Sequence, residues 1–409
     1  MICIAQVADG YSVLTHEQII DLAWKDQIRP LLLKRFPDSS EVEMKNAHAF
    51  AYGGCVIQDL GYYPFGSRQF SDLVHYVRSG DFVQNLLTES QDLNEYAFAL
   101  GALSHYAADN SGHPAVNHSV AIIFPKLRAK YGDPVTYEDD PKAHIRTEFG
   151  FDVAQVAKNR YTVDSYHDFI GFEVAKPLLE RAFQKTYGIE LGDVFKDVDL
   201  AIGTYRRSVS KIIPEMTKVA LATRRADIVK ETPNFEKREF LYHLSRADYE
   251  KDWGKSYQQP GAGARIMAFL LRIMPRVGIF KGLGFKVPTR QTEDLYIASV
   301  NDTIEMYDRL LTKLRAGERL DLPNMDFDTG KKTVAGEYRL TDETYSKLIR
   351  KLDERKFDHL TPGLRADILK FYVDPKAKVD TKKDAAEWQK TMDSLRALRA
   401  TEPPPPRGE

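Results

Sequence analysis

Cysteine is nearly absent from this 409-residue chain: Cys3 and Cys55 are the only two. That excludes a disulfide scaffold and any zinc site built from cysteine clusters. Charge of one sign is also lacking, since 58 Lys and Arg against 59 Asp and Glu leave a net charge of −1. A protein that holds nucleic acid mainly by charge is more basic as a whole, which leaves only a local patch for that role. No run approaches the roughly 20 apolar residues that span a bilayer. No G-x-x-x-x-G-K-[ST] loop occurs, which argues against a nucleotide-driven motor, and no G-x-S-x-G elbow offers a serine nucleophile. With 43% hydrophobic and 29% charged residues, the composition is that of a folded globular chain.

What the chain does have is an uneven distribution of histidine. Seven of its ten histidines, His16, His48, His75, His105, His113, His118 and His144, fall within the first 148 positions.

The hydrophobic period is helical almost throughout, and the expected class is all-α for residues 11–230. Thr15-His16-Glu17-Gln18 fits a capping box opening a first helix, which Pro30 kinks or ends. Further helices are expected over 41–54, over 67–77 closed by Ser79-Gly80, over 93–109 and over 141–157. Two long segments, 164–186 and 192–229, read as helices interrupted by Pro177 and Pro214. The best strand candidate is Thr333 to Leu340. Residues 231–373 read as a mainly helical C-terminal extension, with helices over 292–316 and 341–373 around a loop at 318–336. Within it, 266–288 is apolar with only basic charges. That suits either docking on an anionic membrane surface or a buried helix followed by a loop. The tail, 374–409, is charged, ends in a proline run, has too little apolar surface to fold alone and is expected to be disordered.

The first ten residues, MICIAQVADG, read either as a frayed start or as the end of an export signal. In the second case Ala8 and Gly10 stand at the −3 and −1 positions of a cleavage site before Tyr11.

Residues four apart share a helix face, so His-x-x-x-Asp/Glu presents two ligands to one metal. Two such pairs occur, His105 with Asp109 and His144 with Glu148. Ala97 and Gly101 precede His105 at the same spacing, a line of small residues that lets a neighbouring helix approach. Asn110-Ser111-Gly112 reads as a turn that ends this helix and offers His113 as a further imidazole. His16, Asp59, His75 and, more weakly, His48 complete the candidates, although a lone imidazole on an apolar helix is commonly a satisfied core residue. Nitrogen and oxygen donors without thiolate suit a hydrolytic rather than a structural zinc site.

The segments THEQIIDLA, AYGGCVIQDLGYYPFG, LVHYVRSGDF, FALGALSHYAADNSGHP and KAHIRTEFGFDV, spread over about residues 11–155, carry a resemblance. Together and in this order they resemble the zinc-dependent phospholipase C superfamily. It includes bacterial phospholipases C, fungal single-strand nucleases and the catalytic domain of glycosylphosphatidylinositol-specific phospholipase D. The spacing of the SH-x-AAD-x-x-x-H run is most similar to the last of these. The resemblance implies up to three zinc ions. Asp59, His75, His105 and Asp109 would hold one, and His113, His144 and Glu148 a second. His16, a bridging oxygen of Asp109 and the backbone amino and carbonyl groups of a mature N-terminal Tyr11 would hold the third. His118 competes with His113 for the second site, with His113 preferred. The implied reaction is hydrolysis of a phosphodiester by a metal-activated water, with Asp59 orienting that water or taking its proton. A phospholipid substrate and a secreted or periplasmic protein follow from the same likeness. A single-strand nuclease is the alternative, with Tyr62, Tyr63, Phe65 and Arg68 as a base-stacking or head-group surface, and a zinc-stabilised binding module is the third reading.

Overall fold

The computed structural model describes residues 11–158, 171–213 and 285–402, with isolated positions between 214 and 230. Among the described residues the only strands are two of two residues each, β1 (Met325–Asp326) and β2 (Lys331–Lys332), paired antiparallel. Everything else regular is helical, so the protein is all-α. No described helix is long and apolar enough to cross a membrane. Residues 1–10 and the greater part of 266–288 lie outside the described residues. Of that segment, Phe285 is buried against Phe149, with ring centroids 5.9 Å apart.

The first helix, α1 (Val13–Ala23), starts at Ser12 and not at Thr15. Thr15 is already inside it, and its hydroxyl donates to Asp152 instead of capping. Asp152 also accepts the Leu14 amide, so a carboxylate from far along the chain replaces the local capping box. A π-turn over Trp24–Ile28 then absorbs the chain into α2 (Arg29–Arg35), which carries Pro30 in its first turn, where no intrahelical N–H is needed. The next helix, α3 (Glu41–Cys55), opens with the capping box of Ser40 and Glu43.

Ser79 and Gly80 start a helix where the sequence suggests a stop. Helix α4 (Arg68–Tyr76) ends at Val77, Arg78 turns the chain in the left-handed region with φ 51°, and α5 (Ser79–Glu89) follows at once. A larger difference concerns α6 (Leu93–Ile123), which runs straight through Asn110-Ser111-Gly112 and Pro114. One missing N–H removes a single rung, while the turns beyond bury Val116, Val120 and Ala121, and that burial carries the helix on.

After α7 (Pro125–Tyr131) and α8 (Pro141–Ala157), Pro177 begins rather than interrupts α9 (Lys176–Tyr187). Helices α10 (Leu191–Val194) and α11 (Val198–Arg207) divide the expected 192–229 helix, and Pro214 lies outside the described residues. Helix α12 (Arg290–Ala316) packs along α6. The expected strand at 333–340 is a loop leading into α13 (Arg339–Glu354). The nearby strand is only Lys331–Lys332, because the chain turns to cap the helix at Tyr338. After α14 (Pro362–Phe371) comes α15 (Ala385–Ala400), an ordered helix inside the tail expected to be disordered. Packing against the rest of the chain orders it: Leu395 and Leu398 are buried, and Thr391 meets Ser346 of α13.

One hydrophobic core contains residues from Tyr11 to Leu398, so residues 285–402 share an interior with the described residues of 11–158 and 171–213. At its centre α3 and α6 touch backbone to backbone. A β-carbon on Gly101 would lie 2.1 Å from the Ala51 carbonyl oxygen, and one on Gly54 would lie 2.0 Å from that of Phe98. Only glycine allows this approach. It sets the height of His105, one turn further along α6.

Candidate metal centre

Five separate elements deliver the chemistry-bearing side chains to one place. His16 comes from α1, Asp59 from a 3₁₀ turn over Ile57–Tyr62, and His75 from the last turn of α4. His105, Asp109 and His113 come from successive turns of α6, and His144 and Glu148 from α8. Because α6 does not stop at residue 110, His113 lies one turn beyond Asp109 on the same face, and its imidazole returns to that carboxylate. All eight side chains are buried, none more than 3% exposed.

Asp109 is the hub. Its Oδ2 lies 3.0 Å from His105 Nε2, 3.4 Å from His113 Nε2 and 3.6 Å from His75 Nε2, and its Oδ1 lies 3.6 Å from His16 Nε2. Asp59 Oδ1 is 3.3 Å from His75 Nε2, and His144 Nε2 is 2.7 Å from Glu148 Oε1. The donors fall into three groups whose atoms lie within 4.8 Å of one another: His16 with His105 and Asp109, Asp59 with His75 and His105, and His113 with His144 and Glu148.

The donor set fits zinc on two observations. Donors at about 2.0–2.2 Å on a tetrahedral ion sit about 3.3 Å from one another, the spacing seen around Asp109. In addition, both oxygens of Asp109, both nitrogens of His16 and of His113, and Nε2 of His75 are buried with no hydrogen-bond partner. Buried polar atoms are normally hydrogen-bonded, so a cluster without such bonds calls for something between them.

Electrostatics agree. Burial lowers His16 to about 3 and His75 to about 4, so both imidazoles are neutral and free of a proton on one nitrogen. Burial would raise the Asp109 carboxyl, but His105 and His113 hold it well below the ordinary carboxylate range. Against its own burial, His113 is pushed up to about 9 by Asp109, Asp328 and Glu148. The site thus has a standing demand for positive charge.

His75 Nδ1 is 2.8 Å from the Ser71 carbonyl and His105 Nδ1 is 2.9 Å from that of Cys55, contacts that put the proton on Nδ1 and turn Nε2 inward. Tyr11 is buried beside His16, with ring centroids 6.0 Å apart, and its hydroxyl donates to Ser299 at 2.7 Å.

Two other histidines stay out. His118 is on the surface with Asp133, 2.6 Å away, which leaves His113 as the inward imidazole. His48 is buried elsewhere, stacked on Trp24 and 3.1 Å from Asp21. Of the aromatic candidates, Tyr62 and Tyr63 are buried in packing against Tyr137 and Tyr205, and Phe65 alone is well exposed.

Residues from the C-terminal part reach the centre without any metal-ligand spacing to announce them. Phe327 packs on the rings of His75 and His105, at 5.5 and 6.2 Å, and Asp328 Oδ1 lies 3.5 Å from His113 Nδ1. On the α1 side, the Tyr296 hydroxyl meets Thr15 at 2.8 Å. The one sign in the sequence was the acidic turn Asp326-Phe327-Asp328 before Gly330.

Residues 15–197 match the zinc dependent phospholipase C family. The match contains every candidate ligand side chain from His16 to Glu148 and ends well before Asp328. No curated protein and no solved structure matches the chain.

Proposed function

We propose that this protein is a zinc-dependent phosphodiesterase that hydrolyses the head-group phosphodiester of a phospholipid, cleaving on the phospholipase C or D side. The observation that carries the reading is Asp109, a buried carboxylate within 3.6 Å of four imidazole nitrogens. Asp59, His75, His105 and Asp109 would hold one zinc, and His113, His144 and Glu148 a second. His16, Asp109 and the backbone of Tyr11 would hold a third, once residues 1–10 have been removed. Export to the periplasm or beyond belongs to the same proposal.

Zinc in such a site supplies Lewis acidity toward phosphate oxygens and makes water nucleophilic at neutral pH. Asp59 orients the attacking water and accepts its proton as the new O–P bond forms and the bond to the leaving alcohol breaks. The carbonyls of Ser71 and Cys55 hold His75 and His105 in the one tautomer that serves as a ligand. Phe327 covers both rings and keeps bulk water off them. Burial of Tyr62 and Tyr63 removes two of the aromatic platforms that a single-strand nuclease would need.

Zinc-loaded protein beginning at Tyr11 should be incubated with phosphatidylcholine vesicles, phosphatidylinositol vesicles and single-stranded DNA, and the products weighed by mass spectrometry. Diacylglycerol assigns C-type cleavage and phosphatidic acid D-type cleavage. Nucleotides would replace the lipid reading with a nuclease. Two or more zinc ions per chain without turnover of any substrate would make it a binding module.

A further inference from the structure

The hairpin around β1 and β2 lies outside the family-matched segment, yet it is fastened to the helices that carry the ligands. The Phe327 amide donates to the His75 carbonyl at 3.2 Å, and the Tyr106 hydroxyl donates to the Pro323 carbonyl at 2.8 Å. Ser79 holds Met325 through both its amide and its carbonyl, and Asn324 accepts the Asp81 amide. Asn117, one turn after His113 on α6, donates to the backbone carbonyl of Asp328 at 2.7 Å. Gly330 lies against Pro114 and the Asn110 carbonyl, where a β-carbon would be 2.8–2.9 Å from either. These contacts place the Asp328 side chain with little freedom.

Its two oxygens have different tasks. Oδ2 accepts the hydroxyls of Tyr76, at 2.9 Å, and Tyr338, at 2.5 Å. Oδ1 is left facing His113 Nδ1 at 3.5 Å. A metal on His113 Nε2 requires the ring proton on Nδ1, and Asp328 is the carboxylate that Nδ1 faces. His75 and His105 use backbone carbonyls for this purpose, whereas His113 has an anion. A carboxylate facing the far nitrogen orients an imidazole and makes it a better metal ligand than a carbonyl does.

We propose that Asp328 is a positioning residue for the metal centre: it fixes the tautomer and orientation of His113 and raises its affinity for zinc. On this view the C-terminal part of the chain completes a site whose ligands all come from the family-matched part. The inference rests on the metal-centre reading above.

The test is stepwise zinc titration of the metal-stripped full chain against a competing chelator, alongside the visible spectrum of the cobalt-loaded protein. Asp328→Asn keeps the shape and removes the charge. It is expected to weaken one zinc equivalent by roughly 10–100-fold, leave the others unchanged, and shift one cobalt band. His113→Ala should remove that same equivalent, and adding Asp328→Asn to it should have no further effect. Tyr338→Phe, which removes only one hydroxyl from Asp328, should weaken that equivalent several-fold, and it decides the matter if Asp328→Asn does not fold. Wild-type affinities in Asp328→Asn, or losses that simply add to those of His113→Ala, would overturn the proposal. A wild-type chain that takes up no zinc would instead overturn the metal-centre reading itself.

Discussion

Two buried clusters of histidine and aspartate draw on α1 in this protein, and they differ in how many imidazoles converge on one carboxylate. In the first, His48 faces Asp21. Asp21 meets His48 Nε2 at 3.1 Å and also accepts the Tyr52 hydroxyl, while the His48 ring stacks on Trp24 at 3.8 Å. Four imidazoles converge on the single carboxylate of Asp109, and neither Asp109 oxygen makes a hydrogen bond. In the first cluster one carboxylate oxygen serves one imidazole and one hydroxyl under aromatic packing. In the second, donors outnumber what hydrogen bonds can use, at separations that suit ligands about a common ion. Burial is the same in both, so burial alone does not identify a site. The number of imidazoles that converge on one carboxylate does.

Four experiments break or sharpen that contrast, beginning with the largest effect. Asp109→Ala removes the hub and should abolish phosphodiester hydrolysis, by roughly 10³-fold or more, with loss of bound zinc measured by elemental analysis. Unchanged metal content in that variant would mean the two clusters are of one kind. Next, stripping metal with a chelator should lower the melting temperature, since ligand present at about 1,000 times its Kd stabilises by about 4 kcal/mol. Addition of zinc should restore it, and a melting temperature indifferent to both would deny the centre a structural ion.

His48→Ala should act in the opposite sense. It leaves Asp21 short of its partner and opens a cavity beside Trp24, at a cost of about 3 kcal/mol by denaturant unfolding, with full zinc content. Loss of zinc there would join the clusters into one network. Smallest is Tyr11→Phe, which removes only the hydroxyl bond to Ser299 and should cost about 1 kcal/mol without changing the zinc stoichiometry. A lost equivalent would show that the Tyr11 side chain, and not only its backbone, matters for the ion near His16.

Much of this was legible along the chain. The helical class, α3 and α8 nearly to the residue, and the small-residue line through Gly101 follow from period-3.6 patterning and from local caps. The pairs His105 with Asp109 and His144 with Glu148 are readable for the same reason, since i,i+4 spacing fixes the geometry within one helix. Less legible were the elements whose outcome depends on what packs against them. Thr15 has good local capping chemistry but is claimed by Asp152. Pro114 does not stop α6, because Val116 and Val120 beyond it are buried in the shared core. The helix Ala385–Ala400 has a weak apolar face that suffices once α13 covers it.

By itself, then, the sequence determined the residue types, their spacing within each helix, and hence the donor chemistry of nitrogen and oxygen without thiolate. Only the tertiary structure decided which donors meet. His16, Asp59 and His75 join the centre because one core brings α1, the turn at 57–62 and α4 against α6, while His48 and His118, weaker candidates in the sequence, are turned to Asp21 and to the surface. It also decided that Asp328, more than 200 residues after His113, stands behind that imidazole. The reason is physical: spacing along one helix is set by backbone geometry, whereas contact between distant segments is set by a core that buries both.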